Sequence, residues 1–323
     1  MKERNKKLIF YPDLSDKGLR IDKYLNNKEL NISRSRLQKL ISIGKVRSSE
    51  EIISKNYILK GTEKIELEDM GMPVSVIHAK PQDIKIKILF EDDYIIAVSK
   101  DAGIVVHPAP GHFENTLINA LMSYNEKLSG IGGGLRAGIV HRLDKDTSGI
   151  ILVAKDERTH ALLSEKFKNR EVEKTYEALV FGCFKEPEGS IKLPVGRSMK
   201  DRKKMGVVVR GRQSQTDFKI LKEYKGCTLI EAYPKTGRTH QIRVHFSYIG
   251  HPIIGDKDYG NSQSEKIANE IGLMRQFLHS KRIVFIHPVT NEKIDLNDEL
   301  PTDLKKCMVN LKKIFNDSLL VIE

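Results

Sequence analysis

One short polar segment between two apolar runs is the first place in the sequence where chemistry could be done. Residues 141–148 read HRLDKDTS, with apolar residues before them at 139–140 and after them at 150–154. Polar side chains between buried strands belong at a sheet edge or in a cleft, because burying them unpaired costs several kcal/mol. Residues 147–149 can supply the hydrogen bonds of a structural turn, which is one interpretation of the segment.

Asp144 and Asp146 raise a second possibility for that segment, a carboxylate pair that hydrolyses a glycosidic bond. Two residues at i and i+2 in a strand point the same way, which places the carboxylates too close together for an inverting enzyme. Nothing else in the sequence suggests sugar binding.

A second polar segment, YPKTGRTHQIRVH at residues 233–245, follows a strand-like run. We predict a turn at Gly237 and a helix capped by Thr239, with Ile242 and Phe246 on one apolar face. A helix N-terminus rich in Arg and Thr suits phosphate binding. The two histidines of this segment lack zinc-motif spacing and are interpreted as structural.

Two other features of the sequence are weaker indications of function. The Gly-rich run at 130–137 contains the loose dinucleotide pattern G-x-G-x-x-A, but no strand leads into it, and we interpret it as a flexible loop. Cys183, Cys227 and Cys307 are odd in number and far apart, which indicates reduced thiols rather than a disulfide framework or a zinc cluster.

The elements that must position these segments fall into two predicted domains, residues 1–79 and 80–323. In the first we predict a strand at 8–11, a helix at 20–26 and a second helix capped by Ser33 and ended by Gly44, then strands at 46–53 and 57–67. One face of the second helix carries Arg34, Arg36 and Lys39. Residues 72–83 contain two prolines and indicate a linker.

The second domain alternates strand-like and helix-like segments without strict β-α repetition. We predict buried strands at 94–98, 149–153, 176–181, 228–232 and 283–286, and helices at 161–167 and 302–315. Recurring hairpin signals favour an α+β fold with a large mixed or antiparallel sheet.

The net charge of +12 suits a polyanionic partner, although it fits a basic cytosolic protein equally well. The first residues have no apolar segment typical of a signal peptide, and no run is long enough to span a membrane, so we expect a cytoplasmic protein that does not enter membranes.

The motifs resemble two known families. Residues 20–25, 33–36, 40–41 and 44–46 resemble the alpha-L RNA-binding domain. The run 141–144 with 147–149 resembles the signature of the RluA-type pseudouridine synthases, and residues 90–108, 174–180 and 237–245 resemble other motifs of that family. One departure is Asp101, where the family usually has proline.

This resemblance implies an RNA pseudouridine synthase that isomerises uridine without cofactor or metal, after flipping the target nucleotide out of its helix. It implies that Asp144 is the catalytic aspartate, acting as nucleophile or as base, that Arg243 pairs with it, and that Tyr176 stacks on the uracil and helps to remove the C5 proton. It also implies that Arg142 fills the vacated stack, with His141 and Thr147 supporting the loop.

RNA is the expected partner, with 23S ribosomal RNA, perhaps within a ribosomal precursor, as the expected substrate and a monomer as the expected state. Besides Arg142, we expect RNA contacts from Arg34, Arg36 and Lys39, and from Arg197 and Arg202 in a basic run. A non-catalytic ribosome-assembly factor is the alternative, because it would share the charge and the first domain. A DNA-binding protein is a weaker hypothesis, since no helix-turn-helix or zinc finger is visible.

Overall fold

The computed structural model describes residues 6–28, 34–54, 56–69, 80–108, 114–128, 131–132 and 137–315. The chain forms two compact units, Met1–Ile77 and His78–Glu323. The predicted linker falls largely outside the described residues, since 70–79 are not among them, and the domain boundary at 79 and 80 stays a prediction.

The first unit contains a small antiparallel sheet and two helices. Its sheet has the strand order β1-β4-β2-β3. Its elements are β1 (Lys6–Phe10), α1 (Ile21–Asn26), α2 (Arg34–Ser42), β2 (Val46–Ser48), β3 (Glu51–Ile52) and β4 (Ile65–Asp69). The predicted apolar stripe of α2 is confirmed, because Leu37, Leu40 and Ile41 are buried against α1 and the sheet. The predicted cap Ser33 lies outside the described residues.

The local turns of this unit correct two predicted strands. Residues 46–53 form a hairpin rather than one strand, because Ser49 and Glu50 both adopt positive φ. Of the strand predicted at 57–67 only the end is regular, within β4. Gly44 ends the α2 segment as predicted: its φ is +75° and the following Lys45 donates its N–H to Leu40.

The second unit carries a nine-stranded sheet with helices packed on it. Its first elements are β5 (Lys87–Glu91), β6 (Ile95–Lys100), α3 (Leu117–Tyr124), β7 (Ser148–Ala154), α4 (Glu157–Asn169), β8 (Glu173–Phe181), β9 (Glu188–Lys192) and β10 (Val195–Arg197). The remaining elements are β11 (Met205–Val207), β12 (Gln215–Tyr224), β13 (Cys227–Pro234), α5 (Gln241–Tyr248), α6 (Ser262–Glu270), β14 (Leu278–Ile286), β15 (Lys293–Asn297) and α7 (Thr302–Phe315).

The strand order is β5-β6-β7-β14-β8-β13-β12-β9, with β15 paired to β14. Neighbours are antiparallel except β7 and β14, which run parallel. A short separate hairpin joins β10 and β11. The predicted α+β fold with a mixed sheet is confirmed. Each predicted strand and helix of this unit lies in one of these elements, except that Tyr94 precedes β6.

Strand β7 shows why the sheet is buried on both faces. Its seven residues are all buried, and a continuous apolar run is what a central strand needs. Ile151 and Val153 pack on one face with α3 and α5, whereas Ile150 and Leu152 pack on the other with α4. The residues just before β7 therefore emerge from the middle of the sheet.

Two further observations concern the length of the helices and the state of the cysteines. In the part of the chain that the structure describes, no helix is both long and apolar enough to cross a membrane. The three cysteines are free thiols, and Cys227 and Cys307 are buried.

Gly149, the second residue of β7, tests how tightly this strand fits. Its φ is +115°, and a Cβ there would lie 2.3 Å from the carbonyl oxygen of Ser280 on β14. We expect Gly149→Ala to lower the free energy of unfolding by about 3 kcal/mol or more, since it adds a backbone clash to the strain. Urea denaturation measures this.

Gly103→Ala is the matched control. Gly103 also has positive φ, +87°, but nothing lies within 4 Å of its would-be Cβ. It should cost about 1–2 kcal/mol from strain alone. Equal losses in the two variants would contradict the tight packing of β7 against β14.

Candidate active site

The loop before β7 is fixed through its backbone. The ammonium of Lys100 donates to the carbonyl oxygen of Lys145 at 3.0 Å, and Gly103 donates its N–H to the same oxygen at 2.9 Å. Lys100 is only 1 % exposed, and burial together with the charge of Arg275 lowers its pKa to about 7. Thr147 closes the loop by donating its N–H to the carbonyl of Asp144.

Arg275 holds the same loop from the side of β14. Its guanidinium donates to the carbonyl oxygen of Asp146 at 3.0 Å and to the hydroxyl of Ser148 at 3.1 Å, and it pairs with Asp303 at 2.7 Å. The interpretation of Asp144 and Asp146 as neighbours on one strand is wrong, because both precede β7 in this loop. Of these two aspartates, only Asp144 lines the neighbouring cleft.

His141 is an internal support at the start of the loop. Its Nε2 accepts the N–H of Leu152 at 2.8 Å, and its ring stacks on Phe167 at 4.6 Å. Burial, helped by the charge of Lys174, lowers the pKa of His141 to about 3. The imidazole is therefore neutral in the folded protein at physiological pH.

Arg243 on α5 gathers three carboxylates. It donates to both oxygens of Asp256, at 2.7 and 2.8 Å, to Asp258 at 2.7 Å, and to Oδ2 of Asp144 at 3.1 Å. Its side chain is 5 % exposed and that of Asp144 16 %. Burial alone would lower the pKa of Arg243, but the bonds and charges of these carboxylates outweigh it and raise that pKa above its usual value.

The start of α5 differs from the prediction. The N-cap is His240, in the left-handed region at φ 55°, and Thr239 does not cap the helix. Gln241 fixes the turn before the helix, because its side-chain oxygen accepts the N–H of Arg238 at 3.1 Å. The ring of His240 bonds the hydroxyl of Tyr259 at 2.8 Å, and its Nε2 lies 3.8 Å from Oδ1 of Asp144.

Tyr176 lies on β8 and is 8 % exposed. Burial, together with the charge of Asp144, raises its pKa to about 12, and a hydrogen bond with Ser280 only partly opposes this. The phenol is therefore protonated at physiological pH. Its neighbours in the sheet, β13 and β14, fix its position from both sides.

These groups surround a cleft of about 830 Å³. Its walls are residues 139–144, the C-terminal turn of α4, residues 174 and 176, and residues 234–243. The structure thus brings together Asp144, Tyr176 and Arg243, which sequence analysis assigned to one site. A volume of this size is typical of pockets for small molecules and nucleotides.

The predicted RNA-binding residues are spread more widely. Arg142 is exposed and lines the cleft. Arg197 and Arg202 are exposed in the β10–β11 hairpin, outside the cleft lining, and the guanidinium of Arg197 donates to the carbonyl of Arg202. The side chains of three residues of α2 lie outside those that the structure describes: Arg34, Arg36 and Lys39.

Sequence reasoning missed several residues that build the site. Asp256 and Asp258 hold Arg243, while Lys100 and Arg275 hold the loop of Asp144. A buried arginine needs carboxylate partners, so the expected pairing of Arg243 with Asp144 was the available signal for the two acids. Nothing in the spacing of Lys100 or Arg275 distinguishes them from surface residues.

The cleft on the mixed sheet holds a carboxylate paired with a buried arginine, beside a buried tyrosine. This arrangement agrees with the results of comparison with known proteins. The RNA pseudouridylate synthase model matches residues 94–248, and the S4 domain model matches residues 19–65. The chain belongs to the RNA pseudouridylate synthase family, and its activity is that of an RNA pseudouridine synthase.

Its relatives include the ribosomal large subunit pseudouridine synthase D of Zymomonas mobilis, 40% identical over 89% of this chain and 92% of the relative. An uncharacterized RNA pseudouridine synthase of Bacillus subtilis is 38% identical over 92% of this chain and 95% of the relative. The solved structure of human RNA pseudouridylate synthase domain containing 1 is similar, with a TM-score of 0.55 and 25% identity over 68% of this chain and 85% of that one.

The low pKa of His141 predicts an acid-sensitive site. An unfolded histidine takes up a proton below about pH 6.5, whereas folded His141 stays neutral down to about 3. Its stabilising contribution is therefore complete above pH 6.5 and is lost progressively between 6.5 and 3. We expect His141→Gln, which can still accept the N–H of Leu152, to lose about 2 kcal/mol less stability than wild type between pH 7 and pH 5.

Urea denaturation at the two pH values measures that difference. The comparison is internal, because every other titrating group is common to both proteins. An identical pH dependence in both proteins would show that His141 is not the neutral support described above.

Proposed function

We propose that this chain converts uridine to pseudouridine in large-subunit ribosomal RNA, with Asp144 as the catalytic carboxylate. The observation that carries the proposal is the 3.1 Å contact between Asp144 and the buried Arg243, which both line the cleft. The guanidinium holds a positive charge directly against this carboxylate. The ionised form is what both a nucleophilic and a basic role require.

The reaction rearranges bonds without net gain or loss of atoms. The N1–C1′ bond of uridine breaks, the uracil turns in the cleft, a C5–C1′ bond forms, and the proton on C5 leaves while N1 gains one. Asp144 lines the cleft, where it would meet the ribose, and Lys100 and Arg275 anchor the backbone of the two residues that follow it. That rigidity favours precise positioning of the carboxylate against C1′.

Tyr176 is proposed as the stacking partner of the uracil. Its ring lines the same cleft, and its pKa of about 12 keeps the phenol neutral. A neutral ring suits a stacked base that must rotate between bond cleavage and bond formation. Removal of the C5 proton by Tyr176 would first require loss of its own buried proton, so the structure favours stacking as its main role.

Relatives and charge support the choice of substrate. Several similar proteins carry the name ribosomal large subunit pseudouridine synthase D. An S4 domain precedes the catalytic unit, and the net charge is +12, which suits an RNA backbone.

The three free cysteines support a cytoplasmic location. We propose that it acts as a monomer, since one unit of one chain supplies Asp144, Tyr176 and Arg243.

Asp144→Asn tests the catalytic assignment. Asparagine keeps the size of the side chain but lacks the negative charge, so we expect pseudouridine formation to be lost while RNA affinity stays within about tenfold, or about 1.4 kcal/mol. Pseudouridine mapping on transcribed 23S ribosomal RNA and transfer RNA, with wild type beside the variant, measures turnover and substrate together.

The control for that experiment is Asp146→Asn, on the same loop but outside the cleft lining. It should retain turnover. Pseudouridine formation by Asp144→Asn at the wild-type rate would contradict the proposal. Tight RNA binding by wild type without turnover on any transcript would instead favour a ribosome-assembly factor.

Arg142→Ala tests base flipping. Arg142 is exposed at the cleft, where a planar guanidinium can fill the space left by a flipped base. We expect a slower single-turnover rate, by about 10²-fold for a step that costs a few kcal/mol, and near-normal folding. A more severe defect on structured than on unstructured RNA distinguishes flipping from simple phosphate contact. Equal defects on both would contradict the flipping role.

A further inference from the structure

One wall of the cleft carries many more cations than the proposed reaction uses. Arg243 is neutralised by Asp256 and Asp258. Six other cationic side chains line the cleft: Arg142, Lys168, Arg170, Lys174, Lys235 and Arg238. Asp144 is the only acid among the described lining residues.

Lys174 is the innermost of these cations. It stands two residues before Tyr176 on β8, so both side chains emerge on the same face of the strand. Burial, and then the charge of Lys235, lower its pKa to about 8. Its contact within the described residues is the ring of Phe167, with Nζ 5.9 Å from the centroid. No described carboxylate lies within ion-pair distance of this ammonium.

Arg238 stands at the turn before α5 among other arginines. Burial, and then the charges of Arg212 and Arg170, lower its pKa. Its guanidinium makes two long bonds of 3.4 Å to the carbonyl of Gln213. A bound polyanion would relieve the repulsion between these like charges.

Arg170 adds an independent observation from the backbone. It is the C-cap of α4 with φ 64° and ψ 30°, a left-handed conformation in which glycine is normally found. A non-glycine residue there costs of order 1–2 kcal/mol. Its side chain is exposed and lines the cleft. Backbone strain of this kind is common at functional sites.

We propose that Arg170, Lys174, Lys235 and Arg238 form a phosphate subsite, which binds the RNA backbone beside the flipped nucleotide. The inference rests on the proposed function, because a nucleotide in the cleft brings its phosphates to this wall. Lys235 contributes an exposed ammonium, 3.8 Å from its partner Asp217. Asp144 and Tyr176 would then face ribose and base, while this subsite fixes the strand and hence the angle at which the uridine enters.

Salt-dependent binding tests the subsite without any need for turnover. The probe is a fluorescent oligouridylate of about ten nucleotides, a length that one binding groove can span, and the readout is anisotropy across a potassium chloride series. Each phosphate contact on a single strand contributes a slope of about 0.7 in log affinity against log salt. Lys235→Gln with Arg238→Gln should therefore reduce the slope by about 1.4.

Lys174→Gln should reduce the slope by about 0.7 at pH 7. Lys306→Gln on α7 is the control, because Lys306 is exposed and does not line the cleft. It should bind like wild type. Wild-type slopes in the cleft variants, or the same loss in Lys306→Gln, would overturn the proposal.

Arg170 allows a second test that separates structure from binding. Arg170→Gly removes both the charge and the left-handed strain, whereas Arg170→Gln removes the charge alone. Both should reduce the salt slope by about 0.7, and the glycine variant should melt higher than the glutamine variant by roughly 2–4 °C. A slope unchanged in both variants would remove Arg170 from the subsite.

Failure of this proposal is distinguishable from failure of the proposed function. Pseudouridine mapping reports on the reaction, whereas the salt slope reports on the subsite alone. Loss of slope in the variants supports the subsite even if wild type modified none of the transcripts. Conversely, turnover by wild type with unchanged slopes in all variants would leave the reaction in place and overturn the subsite.

Discussion

The site depends on the burial of one guanidinium among carboxylates. Taking Arg243 out of water costs several kcal/mol, and the pairing with Asp256 and Asp258 offsets that cost. Once these two carboxylates hold Nε and Nη2 of the arginine, Nη1 remains to donate to Asp144. The same interaction therefore fixes helix α5, the loop that carries residues 256–258, and the loop before β7.

The loop of Asp144 is held as firmly as the arginine. Backbone carbonyls at Lys145 and Asp146 each accept a bond from a side chain that is itself buried, Lys100 or Arg275. Buried polar groups need hydrogen-bond partners, and here the two side chains donate the hydrogen bonds that the two carbonyl oxygens accept. The carboxylate thus sits on a backbone with little freedom, which lowers the entropy lost when the substrate must be aligned.

The same loop of residues 256–259 connects the site with the β10–β11 hairpin. The ammonium of Lys204 donates to the carbonyl of Asp258, and Met205 donates its N–H to the hydroxyl of Tyr259. Tyr259 in turn contacts His240 and lies 5.0 Å beneath the guanidinium of Arg243. An exposed basic hairpin is therefore packed directly on residues that surround Arg243.

The sequence by itself determined the class of fold, most of the strands and helices, and the three residues proposed for catalysis. Apolar periodicity predicted β7, β8, β13 and α7 because each buries a continuous or regularly spaced set of side chains. The motifs that resemble a known family predicted Asp144, Tyr176 and Arg243. The prediction that Thr239 caps α5 was wrong, because hydrogen bonds between Gln241 and residues distant in the chain fix the turn there.

Only the tertiary structure decided how those residues meet and what supports them. Asp144 and Arg243 are 99 residues apart in the chain. The strand order β7-β14-β8-β13 brings the loop before β7 and the helix after β13 to the same part of the sheet. The partners Lys100, Arg275, Asp256 and Asp258 look like ordinary charged residues in the sequence. Their importance arises from burial, since a charge removed from water must find its partner wherever the fold places one.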